Sequence, residues 1–263
     1  MNNQDALNTA LRTQDSFPYK KILWKIEELW NQYSIPSTCE GIDVRGNYTT
    51  DGISKYYPRF KRVDTFDFTE SSSTVFFDDT GEYLGLKHCQ YFEIKGKPIY
   101  LIDNHNEMLY PLVEMREVIG KVFDVVHIDA HPDDAEFQGK KRKNLNLENI
   151  KEYIAETRIS DFFDAISEVS LQGEATKQSQ KIVGEIFRVT HSDDFEFFLA
   201  PENPYILSLD IDIFGPEGDF VSLKDKVRVI AQAWSRAEAV VIATSPGFID
   251  QEFAREIIKI FVK

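Results

Sequence analysis

The sequence predicts an α/β protein, a three-layer α/β/α sandwich around a mainly parallel sheet, and three observations predict it. Short apolar runs rich in β-branched residues alternate with longer stretches of helical periodicity over most of 98–263. Three of those runs end in side chains able to bind metal: His105 after Ile99-Tyr100-Leu101-Ile102; Asp129, His131 and Asp133 after Val125-Val126-His127-Ile128; Asp210 and Asp212 after Ile206-Leu207-Ser208-Leu209. Parallel sheets gather ligands at the carboxyl ends of their strands, so the chemistry and the topology point to the same place.

Taken in order, residues 1–18 form a polar lead-in. Ile22, Leu23, Ile26, Leu29, Trp30 and Tyr33 recur at helical spacing and predict an amphipathic helix over 19–33, which Pro36 stops. From Ser37 to Phe68, glycine, threonine, aspartate and aromatics without a sustained period predict short strands and loops. Strands are predicted at 74–77, 88–94 and 98–102, with turns at Asp79-Thr80-Gly81 and Lys95-Gly96-Lys97, as a hairpin running into the main sheet. Residues 1–97 are thus expected to be a helix and a β-rich elaboration packed on a core of 98–263. Within that core the pattern predicts a helix at 108–119, a strand at 122–129 and helices at 148–168 and 175–185 separated by a turn at Leu171-Gln172-Gly173. Strands at 187–190 and 205–212, a helix at 222–236, a strand at 239–244, a turn at Ser245-Pro246-Gly247 and a helix at 250–261 complete it. The basic run Lys140-Lys141-Arg142-Lys143 reads as a solvated loop.

Composition narrows the function classes. A net charge of −14 over 263 residues disfavours nucleic acid and anionic membranes as partners and suits a cationic substrate. Cys39 and Cys89 lack motif spacing, which argues against a disulfide framework or a cysteine-based zinc site and fits a reducing cytoplasm. The first residues lack the basic and apolar regions of a secretory signal, and no apolar run is long enough to span a bilayer. The expectation is a cytoplasmic protein, with a homo-oligomer left open.

The polar strand ends carry the chemistry. Asp129 lies inside an apolar run, and an unpaired buried carboxylate costs several kcal/mol, so it needs a cation or a solvated cleft. His105, Asp129, His131, Asp133, Asp210 and Asp212 make six ligands, too many and too oxygen-rich for one structural zinc. Two adjacent divalent ions sharing carboxylates would use all six. Carboxylate dominance favours Mn²⁺, and such a pair acidifies a bound water for attack on an electrophilic carbon or phosphorus. Hydrolysis is the implied reaction. His127, two residues before Asp129, supports or lines the site; His88 and His191 have no comparable context.

Asp129-Ala130-His131-Pro132-Asp133 and Ser208-Leu209-Asp210-Ile211-Asp212, in that order and after His105, resemble the signatures of the arginase-type ureohydrolases. Together with Ile102-Asp103-Asn104-His105-Asn106 and Thr244-Ser245-Pro246-Gly247-Phe248, they look like the divergent branch that includes the peptide arginases, over about 98–250. That branch converts arginine side chains in ribosomally made precursor peptides to ornithine and releases urea. The resemblance implies an arginase-like core and two Mn²⁺ ions, one held by His105, Asp129, Asp133 and Asp210, the other by His131, Asp129, Asp210 and Asp212. Asp129 and Asp210 would bridge them. Asp133 would pass a proton to the departing amine. Two features depart from the enzymes acting on free arginine: no histidine follows Asp133 at the distance of their proton shuttle, and Thr244-Ser245 stands where they carry a guanidinium-binding glutamate. Glu107, Ser245 and Asp250 are then the candidates for substrate contact, and His127 and Glu252 join Asp133 as candidate catalytic groups. The aromatics between 48 and 68 are a candidate groove for an extended peptide.

Ala130-His131-Pro132-Asp133-Asp134 is also similar to the motif of the zinc N-acetylglucosaminyl deacetylases. Those enzymes carry it near their N-terminus and add a histidine from a His-x-x-His pair, whereas here it is central and His191 has no partner of that kind. That reading also leaves Asp210 and Asp212 unexplained. A non-catalytic metal-binding protein of the same fold is the third class, and the complete ligand set argues against it.

Overall fold

The computed structural model describes residues 17–35, 60–119, 121–136, 146, 149–157, 166, 170–172 and 179–263. Its centre is a seven-stranded sheet in the order β1-β4-β5-β11-β10-β6-β9. The strands are β1 (Phe60–Arg62), β4 (Cys89–Ile94), β5 (Lys97–Ile102), β6 (Phe123–Ile128), β9 (Val183–Val189), β10 (Tyr205–Asp210) and β11 (Ala239–Ala243). All neighbours run parallel except β4 and β5, which form an antiparallel hairpin around the left-handed Lys95 and Gly96. Two small antiparallel pairs lie outside it: β2 (Glu70–Asp78) with β3 (Gly81–Leu86), and β7 (Ser170–Gln172) with β8 (Ser179–Lys181).

The central strands β5, β6, β10 and β11 are buried at every position, so their sequences read as continuous apolar runs rather than as alternation. Successive side chains still go to opposite faces. Leu101, Val126, Leu207 and Val240 belong to one apolar core, and Tyr100, Val125, Ile206 and Val241 to the other. The first core is closed by α1 (Phe17–Tyr33), the short α4 (Ser192–Glu196), α5 (Leu223–Arg236) and α6 (Gln251–Phe261), and the second by α2 (Leu109–Ile119) and α3 (Ile150–Glu156). Helices on both faces of a mostly parallel sheet fit the three-layer sandwich expected from the sequence.

Trp30 holds α1 in place: its ring lies edge-on to Trp234 of α5 at 5.6 Å and against Phe261 of α6 at 4.6 Å. Both partner helices start on a side-chain cap, Ser222 accepting from the Asp225 amide at 3.2 Å and Asp250 from the Phe253 amide at 2.9 Å. β1 and β4 come from before residue 98, so the sheet draws on both sequence segments.

Several predicted elements differ from those observed. The helix expected at 175–185 is replaced from Ser179 onward by β8 and the start of β9, because pairing with β7 and with β6 gives this segment its backbone partners and overrides a weak helical pattern. The helix expected at 148–168 ends at Glu156: Thr157 is extended and its hydroxyl turns back to Tyr153 O at 2.9 Å. The expected turn residues Leu171 and Gln172 belong to strand β7, and the turn expected at Asp79-Thr80-Gly81 leads into strand β3, which the sequence pattern did not predict. The basic run 140–143, Cys39 and the aromatics from Tyr48 to Tyr57 lie outside the described residues. Among the described residues, no helix is long and apolar enough to cross a membrane.

Candidate metal centre

β5, β11, β10 and β6 are parallel neighbours, so their carboxyl ends emerge along one edge of the sheet. After Ile102 the chain enters a short 3-10 turn, His105–Met108, which turns the His105 ring inward. After β6 come Asp129, His131 and Asp133. Asp210 closes β10 and caps the next 3-10 turn, Ile211–Phe214, by accepting from the Asp212 amide at 3.0 Å. After β11, the amides of Thr244 and Ser245 donate to Ile102 O and Asp103 O at 3.0 and 2.8 Å and carry the pairing past the strand.

This brings all six sequence-predicted ligands together, around two overlapping groups. His105, His127, Asp129 and Asp133 form one, and Asp129, His131 and Asp212 the other, with potential ligand atoms within 4.8 Å of one another in each. Asp129 is common to both and fully buried. Its Oδ2 lies 2.9 Å from His127 Nε2 and 3.5 Å from His105 Nδ1, and its Oδ1 lies 3.3 Å from His131 Nδ1. Asp210 Oδ2 lies 3.2 Å from His105 Nδ1, and the Ser245 hydroxyl reaches both Asp210 oxygens, at 2.5 and 2.6 Å. Asp133 Oδ2 lies 2.7 Å from His105 Nε2, and Asp212 Oδ2 lies 2.9 Å from His131 Nδ1. Asp133 and Ser245 both adopt left-handed backbone, φ 43° and 46°. For residues with a Cβ this is a strained conformation, of the sort that collects at ligand sites.

Two supporting groups hold the imidazoles. His127 is fully buried, its Nδ1 2.9 Å from Ser208 Oγ, which steers Nε2 onto Asp129. His131 Nε2 contacts Glu217, in the 3-10 turn Pro216–Gly218, leaving Nδ1 for Asp129 and Asp212. A carboxylate on the outer nitrogen of a ligand histidine fixes its tautomer and raises its basicity. Glu217 escaped the sequence reading because it lies in no strand end; its only signal is its place five residues after Asp212, in a Gly-Pro-Glu-Gly turn.

The other predicted residues lie elsewhere. Glu252 is on the exposed face of α6, 3.0 Å from Arg255, because the helix turns its apolar side to the sheet. Asp250 is spent on capping that helix. Glu107 is buried behind the site, where its carboxylate accepts from the Asp103 amide at 3.0 Å and lies near Cys89. Cys89, Asp103 and Glu107 form a third compact group, but Asp103 is likewise committed, accepting from the Leu86 amide at 2.7 Å. These bonds give that group a structural role. Ser245 is the one predicted substrate-contact residue that lines the cavity above the cluster, which has a volume of about 640 Å³.

Electrostatics tests whether the site fits cations. Asp129, Asp133, Asp210 and Asp212 are all buried in one cluster. Burial, then the charges of Asp129 and Asp210, hold the Asp212 carboxyl well above the usual range, and burial pushes Asp133 up as well. Burial also favours neutral Asp129, but hydrogen bonds from His127 and His131 outweigh it and hold that carboxyl down. Hydrogen bonds to Asp129 and Asp212 push His131 up to about 12. Burial opposes a charge on His105, but Asp133, Asp210 and Asp129 outweigh it and raise that imidazole well above its ordinary value. The cluster therefore concentrates more negative charge than its own surroundings neutralise, and it takes up protons where a cation would serve. An oxygen-rich set with imidazoles fits divalent metals.

A pH dependence follows. Groups with raised folded-state pKa values stabilise the fold fully below their unfolded values and lose that contribution as pH rises through the folded ones; here the window opens above 3.8 for Asp212 and above 6.5 for His131. The opposite contribution of Asp129 is lost only as pH falls below 3.8, outside this window. Chelator-treated protein is expected to melt at a lower temperature at about pH 8 than at about pH 5, and saturating Mn²⁺ to remove or reverse that difference. Thermal melts at both pH values check this, and a chelated protein with the higher melting temperature at the upper pH would contradict the charge assignment.

No family model matches the chain, and no curated protein matches it. What the structure establishes is a buried aspartate and histidine cluster, able to hold metal ions, at the carboxyl edge of a mostly parallel sheet.

Proposed function

We propose that the chain is a dinuclear manganese hydrolase that converts arginine side chains of a precursor peptide to ornithine with release of urea. The observation that carries the reading is Asp129, a fully buried carboxylate shared by two histidine and aspartate groups beneath an open cavity. One ion would be held by His105, Asp129, Asp133 and Asp210, the other by His131, Asp129, Asp210 and Asp212, with Asp129 and Asp210 common to both. Bound there, two divalent ions would supply a water acidified towards neutrality.

The chain's own groups do the rest. Asp133, whose carboxyl is raised by burial, accepts a proton from the attacking water and returns it to the departing nitrogen. Water oxygen becomes bonded to the guanidinium carbon, the bond from that carbon to the side-chain nitrogen breaks, and urea and the ornithine amine leave. Phe76 and Phe248, whose ring centroids are 4.8 Å apart, line the same cavity with Val75 and offer an apolar wall for the methylene stem of the side chain. The deacetylase alternative leaves Asp210 and Asp212 without a role, although both lie in the cluster.

Among the described residues, no lysine or arginine lines the cavity, so nothing there pairs with the α-carboxylate of free arginine. An arginine whose α-groups are in peptide bonds is therefore expected to be turned over at least about tenfold better, because each unpaired charge brought into the cavity adds a desolvation cost. Urea release from an arginine-containing peptide and from free arginine, on protein shown by elemental analysis to hold two manganese ions per chain, tests both parts. Equal rates on the two substrates would sink the peptide assignment, and one zinc per chain would favour the deacetylase.

A further inference from the structure

Asn104 and Asn106 flank the ligand histidine His105, and both line the cavity. Each amide is oriented by a backbone carbonyl: Asn104 Nδ2 donates to Val75 O at 3.2 Å and Asn106 Nδ2 to Thr157 O at 2.9 Å. With the nitrogens committed, each Oδ1 is left as a buried acceptor without a partner among the described residues. Asn106 is only 9 % exposed. Buried acceptors carry a free-energy cost until a donor meets them, and no lysine or arginine among the described residues lines the cavity to supply one. A ligand entering the cavity can bring that donor.

We propose that Asn104 and Asn106 are the specificity-determining residues of this site, their side-chain carbonyls accepting N–H groups from a planar cationic side chain of the guanidinium class. The inference rests on the hydrolase reading and deepens it. The cluster aspartates are engaged with histidines or with Ser245 and would hold the cations, which leaves the neutral carbonyls of Asn104 and Asn106 for the substrate. A monosubstituted guanidinium presents five N–H donors in a rigid plane, whereas an ammonium presents three on a compact, rotatable head. Two fixed carbonyls favour the former. Their position beside His105 places the bound group next to the metal ligands.

The test compares butylguanidinium with butylammonium, equal in charge, by calorimetric titration of manganese-loaded protein. Wild type is expected to prefer the guanidinium, and Asn106→Leu and Asn104→Leu each to reduce that preference about tenfold while manganese content stays unchanged and the melting temperature falls by about 2–4 °C through the lost bond to Thr157 O or Val75 O. A merely structural role would weaken both ligands alike. Asn104 is the more exposed of the two, so Asn104→Leu decides the matter if Asn106→Leu does not fold. Absence of the preference in wild type, or its survival in the folded variants, overturns the inference. If the preference depends on the asparagines but no urea is released from Nα-acetyl-L-arginine amide or from an arginine-containing peptide, the hydrolase reading fails and the recognition stands. If urea is released and the preference does not depend on them, the reverse holds.

Discussion

Asp129→Asn is expected to yield a protein that retains little metal and has no measurable hydrolytic activity. Asp129 is the one residue shared by both metal-competent groups, and it contacts three imidazoles: His105, His127 and His131. A carboxamide at this position would offer one oxygen where two face different histidines, and would remove a negative charge from both cation positions at once. Removing a supporting partner of a metal ligand already lowers affinity about 10- to 100-fold, and removal of a shared ligand should exceed that. Asp210→Asn is expected to behave alike. His191→Ala is the control, because this side chain is 72 % exposed and among the described residues meets Thr190 and Asp194, away from the cluster. Manganese content after dialysis and urea release measure the outcome. A fully metallated, active Asp210→Asn or Asp129→Asn protein would rule out a site built on shared carboxylates.

The second large effect lies in the turns beside the cluster. A Cβ added at Gly218 would fall 1.9 Å from Ile213 O and 2.6 Å from its carbonyl carbon, both backbone atoms that cannot rotate aside. Ile213 belongs to the turn that carries Asp212, and Gly218 follows Glu217, so the clash forces apart two partners of His131. Gly218→Ala is expected to cost on the order of 3 kcal/mol, by overpacking, and to lower the melting temperature by about 10 °C. Metal affinity should fall with it, since His131 loses its orientation. An unchanged melting curve together with unchanged manganese binding would mean that these two turns do not pack as described.

The metal cluster was legible from sequence because a fully buried strand excludes charge. Asp129 and Asp210 each close a mostly apolar run, and a common site accounts for both. The helices at 222–236 and 250–261 were legible from their periodicity, whereas the caps Ser222 and Asp250 that start them emerge only in the structure. What failed depended on contacts distant in the chain. β9 alternates imperfectly and is a strand because β6 pairs with it, and Glu217 has significance only once His131 is brought beside it. The carboxylates named for substrate contact or catalysis outside the cluster do not line the cavity, for a related reason. Asp250 and Glu252 occupy the first turn of an amphipathic helix, where capping and solvent claim them, and Glu107 faces a backbone amide. The acceptors that remain, Asn104 and Asn106, carry no charge, and composition alone does not single them out.

β11, the last strand in the sequence, occupies the middle of the seven-stranded sheet, between β5 and β10. It joins Ile99–Ile102 to residues about 140 positions later, and the Ser245 hydroxyl that supports Asp210 follows it directly. A nascent chain stopped before residue 239 would hold two half-sheets with facing unpaired edges, one formed by β5 and the other by β10. Closure between segments so far apart in sequence is entropically slow and exposes apolar edges while it waits. The order of synthesis therefore separates possession of these side chains from possession of the site: His105, Asp129 and Asp210 are all translated before the strand that aligns them, so the cluster is assembled only when β11 closes the sheet.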